Sequence, residues 1–154
     1  MKYIAHRGLF QGPNTEKENT PEQIHIALLK GYDVELDVWY VDEQWYLGHD
    51  KPTYNINYTF LNERGFWIHA KNLSALYELT KDNNLNYFWH QEDDFTLTSL
   101  GYIWTYPNQP LTTNSICVMP EWNTGSIGLD YVIPKCYGIC SDFVEVVKNL
   151  KLYK

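Results

Sequence analysis

Apolar and polar positions recur along this chain with two periods, and the periods mark out its elements. Tyr3-Ile4-Ala5 is a short apolar run that stops at His6-Arg7-Gly8, and it predicts a buried strand. A polar stretch from Leu9 to Asn19 follows, with Gly12-Pro13-Asn14 as turn material. Thr20 then offers an N-cap, Pro21 takes the first helical position and Gln23 completes a capping box. Ile24, Ala27 and Leu28 share one face of the helix predicted there, and Gly31 ends it.

The period then drops to two. Asp33-Val34-Glu35-Leu36-Asp37-Val38 alternates as a strand does, continues through Trp39-Tyr40-Val41 and turns at Asp42-Glu43. It returns as Gln44-Trp45-Tyr46-Leu47 and ends in Gly48-His49-Asp50. Phe66-Trp67-Ile68-His69-Ala70-Lys71 predicts a third strand, and Asn72 caps a helix with Leu73, Leu76 and Tyr77 on one face. Strand-like runs recur at Tyr87–His90, Tyr102–Tyr106, Ser115–Met119 and Tyr137–Cys140. Ser141 or Asp142 caps a last helix, which sets Phe143, Val146, Val147 and Leu150 at i, i+3, i+4 and i+7.

The opening order of strand, helix, strand, strand, helix predicts an α/β fold with a parallel sheet. About seven barrel-like strands are present where the standard barrel has eight and ~250 residues. The expectation is therefore a compact, trimmed or irregular TIM-type (β/α) barrel, with an open sheet as the alternative. Residues 1–154 read as a single domain without repeat, low-complexity run or linker.

Composition narrows the picture. The 6 Trp and 13 Tyr among 154 residues predict a dense core or an aromatic-lined pocket. A net charge of −7 excludes general nucleic-acid binding, which needs a basic footprint. It leaves room for a small phosphorylated substrate, because a metal ion and two or three cations reverse the sign locally. No stretch approaches the roughly 20 apolar residues of a membrane helix, so no integral membrane segment is expected. The polar motif at His6 comes too early for a signal peptide, and the expected location is cytoplasmic. Three cysteines do not make a disulfide framework. Cys136 and Cys140 read either as half of a zinc site or, more simply, as buried thiols.

Polar residues gather where the early strands end: His6 and Arg7, Glu35 and Asp37, His49 and Asp50, His69 and Lys71. In a parallel barrel those ends form one rim, where active sites are built. Glu35 and Asp37 are two apart and point to one side of their strand, as do His69 and Lys71. Two carboxylates facing a barrel interior repel each other, and a divalent cation relieves that. The alternative is that they face solvent from an antiparallel sheet.

Taken in order and spacing, His6-Arg7-Gly8, Glu18-Asn19-Thr20, Glu35-Leu36-Asp37 and Gly48-His49-Asp50 resemble the signature of the glycerophosphodiester phosphodiesterase family. The resemblance runs from the N-terminus to Lys71, and Gly138-Ile139-Cys140-Ser141-Asp142 is similar to the family's last strand and the start of its last helix. The family's inserted segment is reduced here to residues 51–65. The resemblance implies metal-dependent hydrolysis of a small phosphodiester, a glycerophosphodiester or a related phospholipid- or glycan-linked diester. It makes His6 and His49 the acid–base pair and Glu35 and Asp37 ligands of magnesium or calcium. Arg7 would hold the phosphate, and Lys71 takes the position of the family's lysine. One departure stands out: the family's third metal-binding glutamate, two residues before that lysine, is His69 here. As a metal ligand, His69 would shift preference toward manganese or zinc.

The residue types fit this chemistry by themselves. A metal, Arg7 and Lys71 can neutralise a phosphodiester, while two imidazoles can act as base and acid. A catalytically silent barrel that binds a phosphorylated ligand, and a different barrel metallohydrolase, are the competing readings. His90 ends the strand-like run from Tyr87 and Glu121 follows the run that ends at Met119, each as a substrate wall or as a satisfied polar residue. Trp104 and Tyr106 read as a stacking surface or as core, and Glu92-Asp93-Asp94 as a solvated loop.

Overall fold

A computed structural model describes residues 1–123, 127–128, 131–132 and 134–150. In chain order the elements are β1 (Lys2–Ala5), α1 (Pro21–Leu29), β2 (Asp33–Val41), β3 (Gln44–Leu47), β4 (Tyr54–Ile56), β5 (Phe66–Ala70), α2 (Leu73–Leu79), β6 (Tyr87–Phe88), β7 (Phe95–Leu97), β8 (Ile103–Thr105), β9 (Ser115–Val118), β10 (Gly138–Ser141) and α3 (Val144–Asn149). No helix among the described residues is long and apolar enough to cross a membrane.

One ten-stranded sheet carries the fold. Seven strands are mutually parallel, in the order β6-β5-β2-β1-β10-β9-β8. β3 and β4 continue from β2 as an antiparallel extension, and β7 lies antiparallel on β8. The sheet curls, so that β6 and β7 approach each other. No strand ladder joins those two among the described residues. The Ser99 N–H donates to the Tyr87 carbonyl (2.8 Å) and the Thr96 hydroxyl to the Trp89 carbonyl (2.9 Å) across the seam. The architecture is thus mixed α/β with a curled, largely parallel sheet and few helices.

Alternation along β2 sorts the two sides of the curl. Val34, Leu36 and Val38 pack outward with Ile68 of β5, under Ile24 and Ala27 of α1 and Ala75 and Leu79 of α2. Burial of each such aliphatic side chain contributes roughly 1.5–3 kcal/mol. Inside the curl, Ile4, Trp67, Phe88, Trp104, Ile116, Val118, Met119 and Cys140 form a second cluster. Glu35 and Asp37 face this inner side, which excludes the solvent-facing alternative: both are buried.

Several local expectations shift. Thr20 does accept the Gln23 N–H (3.2 Å), but the Gln23 amide donates to the Gly8 carbonyl (3.0 Å) instead of returning to the cap. It ties α1 to the turn after β1. The apolar face expected for α2 is rotated, with Ala75 and Leu79 inward and Leu73 and Tyr77 exposed. Asn72 sets that rotation: it caps the Ala75 N–H (3.0 Å) while its amide donates to the Tyr40 carbonyl (2.9 Å). β6 stops at Phe88, so His90 sits in the loop beyond it. β4 and β7 carry no clear alternation in the sequence and appear because neighbouring edges offer them ladders. α3 begins only at Val144, and Val144 and Val147 are its buried residues. Neither Ser141 nor Asp142 caps it, because their side chains are engaged by Glu121 and His6. Cys136 and Cys140 belong to different clusters, the former packing beside Ile139 and the latter inside the curl. That arrangement fits thiols in the core rather than half of a zinc site.

Candidate active site at the strand C-termini

Two backbone devices place the histidines. After β1 the chain makes a 3-10 turn, His6–Gly8, in which Arg7 takes a left-handed conformation (φ 52°). A non-glycine residue adopts that at a cost of order 1–3 kcal/mol. The Arg7 N–H donates to Glu35 Oε2 (3.0 Å), which holds the turn against β2. After β3, Gly48 has φ 146°, and a Cβ there would run into the Lys51 carbonyl. Its N–H donates to the Asp37 carbonyl (3.2 Å), and its own carbonyl accepts the Trp39 indole N–H (2.6 Å). These bonds bend the hairpin back, so that His49 lines the same pocket as His6.

That pocket, of about 300 Å³, opens at the C-terminal ends of the parallel strands. His6, Arg7, Glu35, Asp37, His49, His69, Lys71 and His90 all line it, so these eight candidates from the sequence converge there, while Asp50 and Glu121 do not line it. Glu35 and Asp37 lie mid-strand rather than at the strand end, because β2 continues past the pocket into its pairing with β3. The far wall comes from the second half of the chain: Trp104, Tyr106, Val118, Met119 and Trp122, with Gln91 and Asp93 at one side. Trp104 therefore serves both readings given to it. It is packed against Phe88 (4.6 Å between ring centres) and also faces the pocket.

Asp37 is the most heavily held group. The Asn19 amide donates to its Oδ2 (2.8 Å), and the Asp37 N–H donates to Asn19 Oδ1 (2.9 Å). Arg7 Nε stands 3.3 Å from Oδ2, while His69 Nδ1 and Lys71 Nζ stand 2.9 and 3.5 Å from Oδ1. Burial alone would raise the Asp37 pKa. The hydrogen bond and charge of His69, then Lys71 and Arg7, overcome it and hold the carboxylate well below its usual range.

Glu35 is the opposite case. Burial, and then the charge of Asp37, push its pKa up. Its bonded partner is the Arg7 N–H, and the nearest imidazole nitrogens, of His6 and His69, are both at 3.9 Å. One carboxylate of the pair is thus satisfied by side-chain cations and the other is short of one. One donor atom each from Glu35, Asp37 and His69 lies within 4.8 Å of the others, the metal-capable cluster among the described residues. Two carboxylate oxygens and one imidazole nitrogen, buried beside an under-compensated glutamate, fit a divalent cation.

Both histidines are oriented by carboxylates. His6 Nδ1 meets Asp142 Oδ1 at 2.8 Å, and His49 Nδ1 meets Asp50 Oδ1 at 2.7 Å. In each ring this leaves Nε2 for the pocket. Burial would lower the His6 pKa, but the Asp142 hydrogen bond and the Glu35 charge outweigh it, and the net shift is upward. Asp142 in turn is positioned by Glu121, whose Oε1 accepts both the Ser141 hydroxyl and the Asp142 N–H (2.9 Å each). Glu121 is therefore a support behind the site and not a pocket wall. His90 does reach the pocket, stacked on His69 (4.7 Å), and burial first and His69 second lower its pKa to about 4. It is a neutral imidazole at physiological pH.

Asn19 and Glu18 belong to a motif whose spacing alone assigns them no role. Here Asn19 grips Asp37, and Glu18 accepts from Arg7 Nη1 (3.0 Å). The available signal for Asn19 was its place before an N-cap, where a left-handed residue (φ 56°) suits asparagine. Asp142 was read as a helix cap, and only the β1–β10 pairing brings it to His6.

An α/β chain with a histidine- and carboxylate-lined pocket at the C-termini of parallel strands is the class that fold and geometry define. No protein-family model, no curated protein and no solved structure matches the chain.

Proposed function

We propose that this chain is a shortened barrel of the glycerophosphodiester phosphodiesterase type that hydrolyses a small phosphodiester with the help of a divalent metal. The observation that carries the reading is the buried pair Glu35 and Asp37, one of them lacking a cationic partner, set between two carboxylate-backed histidines. Glu35, Asp37 and His69 would hold the metal. When bound, it adds positive charge for the phosphoryl oxygens.

The chain's own groups divide the remaining work. Arg7 and Lys71 project into the pocket beside Asp37 and offer their remaining N–H groups to the phosphate. His6, held toward its protonated form by Asp142 and Glu35, gives a proton from Nε2 to the departing alcohol. His49, with Nδ1 committed to Asp50, takes a proton at Nε2 from the attacking hydroxyl, whether of water or of the substrate's own neighbouring alcohol.

A second reading of one residue has its own support. His69 Nδ1 is already 2.9 Å from Asp37 Oδ1, so His69 can serve as a clamp on a ligand carboxylate instead of as a ligand. His69→Glu separates the two: a ligand role predicts a swing in measured metal affinity from manganese or zinc toward magnesium or calcium, and a clamp role predicts weaker binding of all four. The function itself is tested by phosphorus NMR on a panel of glycerophosphodiesters with each metal and with chelator. Turnover is expected only with metal, and an unchanged rate after exhaustive metal removal would sink the proposal.

A further inference from the structure

The pocket mouth is chemically lopsided. No Lys or Arg occurs between Lys81 and Lys135, the stretch that supplies the far wall and its rim. In that stretch four aromatic side chains stay open to solvent: Tyr106 (44%) and Trp122 (57%) line the pocket, and Trp89 (36%) and Phe95 (48%) flank it at the same end of the sheet. Trp89 follows β6, and Phe95 begins β7 opposite Thr105 at the C-terminal end of β8. The Tyr106 N–H donates to the Asp94 carbonyl (2.9 Å), and Tyr106 meets Trp122 edge-on at 6.1 Å. Between Trp89 and Phe95 the chain carries the exposed carboxylates Glu92, Asp93 and Asp94. Exposed aromatics gathered at one place mark a contact surface. Tyr and Trp in particular suit a layer that is apolar on one side and wet on the other.

Charge selects the partner. An anionic surface attracts polybasic segments, and this rim has carboxylates and no cation. Quaternary ammonium groups are attracted both to aromatic faces and to carboxylates. We infer that the rim of Trp89, Phe95, Tyr106 and Trp122 seats the protein on zwitterionic, choline-headed lipid surfaces, with the pocket mouth facing the headgroups. The inference rests on the proposed function only for what the pocket would do once there. The docking itself stands on the rim.

The test is co-sedimentation of the whole chain with phosphatidylcholine vesicles and with phosphatidylglycerol vesicles, in chelator, so that neither turnover nor metal enters the readout. Binding to the choline-headed vesicles and at least tenfold weaker binding to the anionic ones is expected. Phe95→Ser combined with Trp122→Ser should weaken the former by about tenfold or more, the scale of losing two buried aromatic contacts. Leu29→Ser at the C-terminal end of α1, also exposed (75%) and next to the start of β2 at the end of the sheet opposite the mouth, should leave binding intact. Circular dichroism checks that each variant is folded. Binding that survives the rim substitutions, that favours the anionic vesicles, that falls equally in the α1 variant or that is absent in the unmodified chain overturns the inference. So does a dimer lost in the rim variant without vesicle binding, which would assign the rim to a second copy. Diester turnover without vesicle binding refutes the docking alone, and vesicle binding without turnover refutes the catalytic reading alone.

Discussion

The two walls of the pocket handle charge in opposite ways. On the wall built by β1, β2 and β5, ionised forms are favoured: Asp37 is held well below the usual carboxylate range, and His6 and Arg7 are raised. On the side built by the chain from β6 onward, neutral forms are favoured, chiefly by burial. His90 in the pocket is lowered to about 4, and behind that wall Glu121, Cys140 and, on the outer face of β9, Cys117 are raised, Cys117 to about 11. The difference follows from partners. The first wall surrounds each charge with counter-charge, whereas the second offers aromatic rings and few hydrogen bonds. Glu35 is the exception on the first wall, raised by burial and by Asp37, and the proposed metal site rests on that misfit. Under the proposed function this difference becomes a division of labour: one wall would do the proton and phosphate chemistry, and the other would shape and dry the site.

The sharpest way to break this division is to remove a group from each wall. His6→Ala and His49→Ala should each lower diester turnover by at least about 100-fold, the scale of a general acid or base. Tyr106→Ser should act mainly on KM, with kcat within about tenfold, because a wall that gives uniform binding does not change the chemical step. Steady-state kinetics on one unactivated diester decides it. A kcat loss in the Tyr106 variant as large as that in the histidine variants would erase the distinction.

A smaller effect tests how the first wall sustains charge. Asp142→Asn keeps the volume and removes the carboxylate at 2.8 Å from His6. Turnover should fall by about 10- to 100-fold, as for partners that orient a working imidazole. The pH profile carries the sign. Asp142 holds the His6 pKa above 6.5, so in the variant His6 loses its proton at lower pH. With His6 as the acid, the alkaline limb of the rate profile moves to lower pH. A limb that stays in place with a reduced plateau would mean that Asp142 serves structure alone.

The same division explains what the amino-acid order reveals by itself. The first wall is assembled from contiguous motifs, since an alternating strand fixes Glu35 and Asp37 on one side without any knowledge of the rest. Its helix start at Thr20 and its turn at Gly48 are local as well. The pairing of Asp142 with His6 spans the chain and depends on β10 lying beside β1, which no local pattern encodes. β7 was invisible for a related reason: Phe95 and Leu97 are exposed, so no buried face left a period to read. The inward face of α2 differs from the one its apolar residues predict because the paired bonds between Asn72 and Tyr40 set its rotation.

The smallest expected effect concerns stability behind the second wall, on the outer face of β9. Burial, and then the neighbouring Cys136, raise the Cys117 thiol from 9.0 to about 11, with a hydrogen bond from Tyr131 offsetting part of the shift. An acid whose pKa is raised by folding keeps its proton in the native state while the unfolded chain gives it up. From about pH 9 to about pH 11 the unfolded state therefore binds fewer protons, and stability falls as pH rises through that window. Below pH 9 both states are protonated and Cys117 contributes no slope. Two pKa units correspond to about 2–3 kcal/mol, reached only at the top of the window. The first wall slopes the other way, since Asp37 contributes stability above the unfolded carboxylate range and loses it in acid. Urea unfolding at pH 8 and pH 10.5, under reductant, of the unmodified chain and of Cys117→Ala isolates this share from other alkaline titrations. The unmodified chain should lose about 1–2 kcal/mol more than the variant between the two pH values. Parallel losses would show that the packing behind the second wall admits charge as readily as the first wall does.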